Sequence, residues 1–401
     1  MNQAILPKVM YISLDGMMEP LGHSQVLKYL EKLSSHYEIT LISFEKSHDL
    51  INSNALERLV NECVRHDIQW IKLKYQTGYF GIGQIINILS LISVPFYVLM
   101  KKNIKIIHIR SYMPGIAIPL LSIFFKFKLI FDMRGFWADE RVDGEIWKKD
   151  SRIFKVTKWL ERSFILNADH IVSLTHAAVN EMENFPYITP GVLRTTVIST
   201  CVNLENFSPK KKTATLDTFT LGYLGTVGTW YLFKETVHAF KVFLQINPAG
   251  RILIINKGEH QFIRESLQNQ NIPLSSVDIL SANHDEIPNL IKRMSATVFF
   301  LKPLFSKQAA APTKLGEFLA SGIPCLTNEG VGDMAAILLE GGAGKTLGEL
   351  SDSSIRAGVN GLITLTQQED IIARCRKTAE LHFSLTDGIV SYSKIYKNLL
   401  S

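Results

Sequence analysis

The sequence predicts an α/β protein made of two successive doubly wound, Rossmann-like units, each a parallel sheet covered on both faces by helices. Three observations predict it. Short apolar runs alternate with stretches of helical period along the 401-residue chain, as βαβ units require. The alternation breaks once, at residues 206–217 (NFSPKKKTATLD), where Pro, three lysines and small polar residues read as a linker. It then restarts, and the length suits two domains of roughly 150–200 residues each. The boundary is expected at 206/207, with the second unit running to residue 385.

In the first unit the strands expected are residues 8–13 (KVMYIS), 38–44 (EITLISF), 69–73, 104–109 (IKIIHI), 128–132 (KLIFD), 170–174 (HIVSL) and 196–199. Residues 24–33 follow the loop LDGMMEPLGHSQ. Apolar Val26, Leu27, Leu30 and Leu33 give them the helical period. In the second unit the strands expected are residues 218–224, 251–256 (RILIIN), 277–280, 296–301 (ATVFFL) and 323–328. Helices are expected at about 233–245 and at 313–320. Two such units bring ligands to the C-terminal ends of their strands.

Composition narrows the function. With 46% hydrophobic and 20% charged residues the chain is ordinary globular material. A net charge of +6 favours an anionic ligand or lipid surface, and no basic run interleaved with aromatics points to nucleic acid. Cys63, Cys201, Cys325 and Cys375 are far apart, which fits a reducing compartment rather than a disulfide framework. No secretory leader pattern opens the chain, so a cytoplasmic protein is expected. Residues 82–100 (IGQIINILSLISVPFYVLM) approach the length of a membrane span. Three readings stand for them: a helix buried against the sheet, a helix resting on a membrane surface, and a span.

The strongest chemical signal is residues 306–333 (SKQAAAPTKLGEFLASGIPCLTNEGVGD). Pro312 suits the first turn of a helix, so the amides of Thr313 and Lys314 face outward at a partly positive N-terminus, a ready anion site. Lys314 adds a full charge. Glu317 lies one turn further in and could accept hydrogen bonds from vicinal hydroxyls, such as those of a ribose. An ordinary helix with a surface Lys–Glu pair is the bland alternative.

PTKLGEFLASGIPCLTN resembles the nucleotide-sugar motif of the family-4 retaining glycosyltransferases of bacterial cell-surface polysaccharide synthesis, which have the GT-B fold. Residues 15–33, 197–209 (VISTCVNLENFSP) and 383–401 (FSLTDGIVSYSKIYKNLLS) are similar to the family's Gly-rich loop, to the end of its first domain and to its final helix. The resemblance implies two domains facing across a cleft, with residues 386–401 crossing back to the first. It implies a nucleotide diphosphate sugar as donor and transfer with retention. Glu317 would hold the ribose, and Thr313 and Lys314 the diphosphate, with Gly22 near the phosphates.

Two departures stand out. The family's other glutamate, eight positions before Glu317, is here Ala309. The loop LGTVGTWY lacks the family's Arg and Lys, so Gly225, Thr226, Gly228 and Thr229 would offer backbone amides. The missing charge would then come from Lys302, Lys307 or Lys314.

In the first unit, FDMRGFWADERVDGE puts dense charge after a strand, at the end where sites form. Asp132 and Arg134 are the candidates for orienting the reacting hydroxyl and the leaving phosphate. His23, His108, Arg110 and Asp139 are candidates for the acceptor side. A structural ion-pair network, with His108 as a packed histidine, is the alternative. Neither metal-ligand spacing nor a DxD pair after a strand is present, so no metal and no cofactor is expected.

The reading is a transferase acting on a lipid-linked saccharide at the inner membrane face, in lipopolysaccharide, O-antigen or capsule assembly. The apolar helix at 82–100 and the run LLSIFFKFK at 120–128 suggest that contact. A non-catalytic subunit that binds a nucleotide sugar and a sugar-nucleotide epimerase of the same fold are the rivals.

Overall fold

The computed structural model describes residues 6–77, 81–209 and 218–401, so residues 210–217 of the expected linker lie outside the described residues. The chain forms two compact units. One comprises Met1–Leu174, Ala178–Ile198 and Thr386–Ser401, the other Thr175–Ala177 and Ser199–Leu385.

The first unit holds β1 (Lys8–Ser13), β2 (Glu38–Glu45), β3 (Gln69–Lys74), β4 (Ile104–Arg110), β5 (Lys128–Asp132), β6 (His170–Ser173) and β7 (Thr195–Val197). They form one sheet in the order β3-β2-β1-β4-β5-β6-β7, parallel throughout. Central strands of such a sheet are covered on both faces and read as unbroken apolar runs. Val9, Ile12, Ile39, Leu41, Ile106 and Ile109 are accordingly without exposure. The winding reverses between β1 and β4, which opens a crevice beyond their C-terminal ends.

The helix expected at 24–33 starts as a π-turn, His23–Leu27, and continues as α1 (Lys28–Leu33). Helix α2 (Ser53–Arg65) is capped by Asn52, which accepts the Ala55 amide at 3.2 Å.

Helix α3 (Ile82–Lys101) corrects the reading of a buried core helix. Its inward stripe is Gly83, Asn87, Leu91, Pro95, Val98 and Leu99. Ile82, Ile85, Leu89, Tyr97 and Met100 are exposed, Met100 to 67%. Helix α4 (Ile118–Phe124) continues this apolar surface with Ile123 and Phe124, and Phe124 meets Phe96 of α3 edge-on at 5.9 Å. After β5 comes α5 (Arg152–Asn167), capped by Ser151.

The second unit holds β8 (Thr220–Leu224), β9 (Arg251–Ile255), β10 (Val277–Leu280), β11 (Ala296–Val298), β12 (Cys325–Asn328) and β13 (Gly344–Leu347), in the parallel order β10-β9-β8-β11-β12-β13. The strand expected at 296–301 stops at Val298. Beyond it, the Leu301 amide and carbonyl are taken by the Asn328 side chain at 2.8 and 2.9 Å. Helices α6 (Phe233–Ile246) and α7 (Thr313–Ala320) pack on this sheet through Val237, Phe240, Phe243, Leu315, Phe318 and Leu319, all buried.

The last helix, α8 (Leu385–Leu400), belongs to the first unit from Thr386 onward. Tyr392 and Tyr396, one turn apart and so on one face, are its buried anchors. Tyr392 donates to Asp132 at 3.1 Å, and the Tyr396 hydroxyl bonds His108 Nδ1 at 2.8 Å.

Candidate functional site

Helix α7 carries the most distinctive chemistry in the second unit. Pro312 is its N-cap, one position outside the first turn, where its φ of −64° and ψ of 118° lead the chain in. No side chain caps the helix. The Thr313 and Lys314 amides therefore stand at its mouth with the partial positive charge of the helix end.

Lys314 and Glu317, one turn apart, are both only 8% exposed. The bland reading of a surface pair is thus excluded. The Lys314 ammonium sits 3.9 Å from the ring centre of Tyr231, 4.9 Å from Tyr223 and 5.3 Å from Phe299, and Nζ makes no hydrogen bond. Ring faces attract a cation, but they cannot replace water as acceptors. Burial draws the Lys314 pKa down to about 7, against the opposing pull of Glu317. Burial likewise lifts Glu317 to about 7, with Lys314 opposing. A pair this poorly solvated gains from any ligand that brings an anion to one member and hydroxyls to the other.

The loop after β8 lies against that ammonium. Gly225 has φ of +115°, which favours glycine, and a Cβ there would stand 2.7 Å from Lys314 Nζ and push the ammonium aside. Thr229 is left-handed as well, at φ 54°. The Gly225 amide is spent on Ile255 O, and the Val227 amide on the Glu259 carboxylate at 3.1 Å. Among the described residues the Thr226, Gly228 and Thr229 amides have no protein acceptor. Asn256 fixes the loop by donating to Gly225 O at 2.9 Å and to Glu259 at 2.8 Å. Sequence reasoning missed Asn256, Glu259, Tyr223 and Tyr231. The signal for Asn256 was there, a polar residue closing the apolar strand RILII.

The three lysines expected near this loop part company. Lys314 adjoins Gly225. Lys307 is buried with its ammonium 3.6 Å from the Trp230 ring centre, and Lys302 is exposed. Ala309, at the position of the family's other glutamate, is buried in the turn Phe305–Ala309.

Several of the first unit's candidates are tied to one another and to the last helix by hydrogen bonds and ion pairs. Asp132 has no exposure. It accepts from Tyr392 and stands 3.5 Å from Arg110 and 4.0 Å from Arg134. Burial alone would raise its carboxyl, but Arg134, His108 and Arg110 together hold it below the ordinary carboxylate value. It is the hub of an ion-pair network. His108 is buried and bonded to the Tyr396 hydroxyl, and burial outweighs Asp132 in lowering its pKa. The buried Arg110 guanidinium is committed to Asp15 at 2.9 Å, Gln25 O and Asp132. Asp139 is committed to Lys158 of α5 at 2.8 Å, and Lys158 also pairs with buried Glu161.

Gly22 is required by packing, since a Cβ would meet Gly16 O at 2.0 Å. His23 bonds Glu62 of α2 at 3.2 Å. The loop these two flank is fixed by buried Glu45, which accepts from the Met17 and Met18 amides at 2.9 and 3.1 Å. Arg134 remains partly exposed beside this network. Its φ of +59° is uncommon for a non-glycine residue and marks strain at a strand's C-terminal end.

No protein-family model matches the sequence, and no curated protein sequence matches it. Solved structures do match. A glycosyltransferase from Rickettsia africae ESF-5 is similar with a TM-score of 0.72 at 14% identity, over 99% of this chain and 100% of that one. HepE from Anabaena, solved in complex with UDP-glucose, has a TM-score of 0.69 at 13% identity, over 98% and 99%. WaaG, a glycosyltransferase involved in lipopolysaccharide biosynthesis, has a TM-score of 0.65 at 12% identity, over 96% and 99%. Identities this low carry the fold alone, and the fold is the two-domain α/β GT-B type of glycosyltransferases.

Proposed function

We propose that this chain is a glycosyltransferase of the family-4 type that moves a sugar, with retention, from a nucleoside diphosphate to a lipid-linked saccharide. The setting proposed is the cytoplasmic face of the inner membrane, in lipopolysaccharide, O-antigen or capsule assembly. The observation that carries the reading is the buried, unpartnered Lys314 ammonium beside Gly225, one turn from Glu317. HepE binding UDP-glucose and WaaG acting in lipopolysaccharide synthesis on the same fold support it.

In this reading the diphosphate lies at the mouth of α7. There the Thr313 and Lys314 amides, Lys314 Nζ and the Thr226, Gly228 and Thr229 amides would meet it, and Glu317 would accept from the ribose hydroxyls. As the bond from the anomeric carbon to the diphosphate breaks, negative charge grows on the leaving oxygen, where preoriented donors lower the barrier most. The acceptor oxygen bonds to that carbon, and its proton passes to the departing phosphate. No metal ion is invoked. In the first unit Asp132 and Arg134 are the residues proposed for catalysis, with Asp132 holding Arg134 in place. The exposed apolar surface of α3 and α4, with nearby lysines, supports contact with anionic lipid.

The test is thermal shift of the intact protein across nucleoside diphosphates and their sugars, followed by transfer assays with lipid-linked acceptors. Ligand at a hundredfold excess over its Kd stabilises by about 2.7 kcal/mol. Stabilisation by one donor and product formation are expected; no stabilisation by any nucleotide overturns the reading. Membrane contact is tested by flotation with anionic vesicles, where binding that salt weakens is expected. A second reading, a non-catalytic nucleotide-sugar-binding subunit, draws on buried Ala309 and on the Glu259 carboxylate at the Val227 amide. Donor binding with no turnover for any acceptor would favour it.

A further inference from the structure

The first sheet has a second concavity at its other end. It measures about 750 Å³ and is lined at the N-terminal starts of β1, β4 and β5 by Lys8, Lys105, Lys126 and Lys128. Leu6, Pro7, Phe127, Leu399 and Leu400 form its apolar walls, and Asn103 completes it. Along the seven residues of β4 it lies about 20 Å from Arg110 and the crevice where such sheets bind ligands. It is therefore a different site from the one proposed for catalysis.

Its chemistry is specific. Four of its lining residues are lysines and none is acidic. Lys8 pairs with Glu38 at 3.2 Å and Lys128 with Asp169 at 2.8 Å. Among the described residues Lys105 and Lys126 have no carboxylate partner. A small inorganic anion has no use for the leucine and phenylalanine walls, and an apolar ligand has no use for the lysines. Both together suit an anionic amphiphile, and the volume falls within the usual range for a small-molecule site.

The surroundings supply the source. Asn103 and Lys105 follow directly on α3, and Lys126 and Phe127 on α4. The last turns of these helices expose Tyr97, Met100, Ile123 and Phe124, the latter two to 72% and 62%. The pocket's lining thus resumes two residues beyond the ends of α3 and α4, at Asn103 and Lys126. We infer that it seats the phosphate headgroup of an anionic phospholipid, with the start of its acyl chains against Phe127, Leu399 and Leu400. The inference rests on the membrane contact proposed above.

The experiment titrates the intact protein with dihexanoyl phosphatidylglycerol below its micelle concentration. Dihexanoyl phosphatidylcholine and inorganic phosphate are run in parallel. Saturable one-to-one binding of phosphatidylglycerol is expected, at least tenfold tighter than phosphatidylcholine and not displaced by equimolar phosphate. The double variant K105Q/K126Q should bind about thirtyfold more weakly, at about a kilocalorie for each lysine near an anionic headgroup. K234Q/K377Q, equal in charge but on exposed residues of the second unit, should bind as the unaltered protein does. Melting curves establish that both variants are folded. Equal affinity for phosphatidylcholine, equal affinity for phosphate alone, or an unaffected K105Q/K126Q protein would overturn the headgroup site. A failed titration with vesicles still binding removes this pocket and leaves membrane contact standing; failed flotation with a successful titration does the reverse.

Discussion

The Lys314 ammonium rests 3.9 Å from the centre of the Tyr231 ring and makes no hydrogen bond. Replacing a buried, poorly solvated charge with an apolar group of similar volume is often stabilising, by about 1–4 kcal/mol. Lys314→Met should therefore raise the melting temperature at pH 6, where the amine carries its proton. The same variant should bind nucleoside diphosphate roughly 10- to 150-fold more weakly, because a hydrogen bond to a charged group is worth ~1.5–3 kcal/mol. A variant less stable than the parent, with unchanged nucleotide affinity, would contradict this.

The titrations of that pair make binding pH-dependent, with a sign that follows from burial. The Lys314 pKa falls from 10.5 to about 7 in the folded chain, so the amine loses its proton as pH rises through 7. Nucleoside diphosphate affinity should then weaken above pH 7, by at most about tenfold per unit for one proton. Lys314→Met should flatten the profile. Stability behaves differently. From pH 4.5 to about 7 the folded state holds a Glu317 proton that the unfolded chain lacks, so stability falls as pH rises. From about 7 to 10.5 the unfolded chain holds the extra Lys314 proton, so stability rises. Calorimetric titration and melting curves across pH 5–10 check both limbs.

Asp132 anchors Arg110, Arg134 and Tyr392 without touching water. Asp132→Ala leaves buried Arg110 with Asp15 as its one carboxylate and should cost ~3 kcal/mol, the low end for a broken buried pair. Tyr392→Phe removes one hydrogen bond and should cost ~1 kcal/mol. Denaturant melts measure both. If Asp132→Ala were fully stable yet inactive, Asp132 would be a group that meets substrate.

Gly22→Ala should destabilise the first unit by ~1–3 kcal/mol, the usual range for an overpacked site, because its Cβ would meet Gly16 O at 2.0 Å. A Gly22→Ala protein as stable as its parent, but weaker for nucleotide, would tie the glycine to phosphate rather than to packing.

Much of the fold was legible from period alone. Strands such as Lys8–Ser13 and Lys128–Asp132 are buried on both faces and announce themselves as apolar runs. β13, Gly344–Leu347, was not expected: it is an edge strand, half-buried, with Gly and Lys at its start, so no apolar run marks it. At the site, Pro312, Thr313, Lys314 and Glu317 were legible because the last three share one helix and Pro312 is its N-cap. The aromatic enclosure of Lys314 was not, since Tyr223, Tyr231 and Phe299 arrive from distant segments. The buried settings of His108 and Arg110 were hidden for the same reason. Their partners Tyr396 and Asp15 are far off in sequence, and a polar residue at a strand end looks the same whether it faces a ligand or a buried helix.

The pairing of Tyr392 with Asp132 and of Tyr396 with His108 spans 260 and 288 residues. During synthesis the first unit emerges early, yet its core stays open over Asp132 and His108 until the last helix leaves the ribosome. The second unit, whose residues are nearly all in one stretch, can close first. A stop codon or frameshift that spared every residue of the second unit would therefore leave that unit intact and expose buried charge in the first.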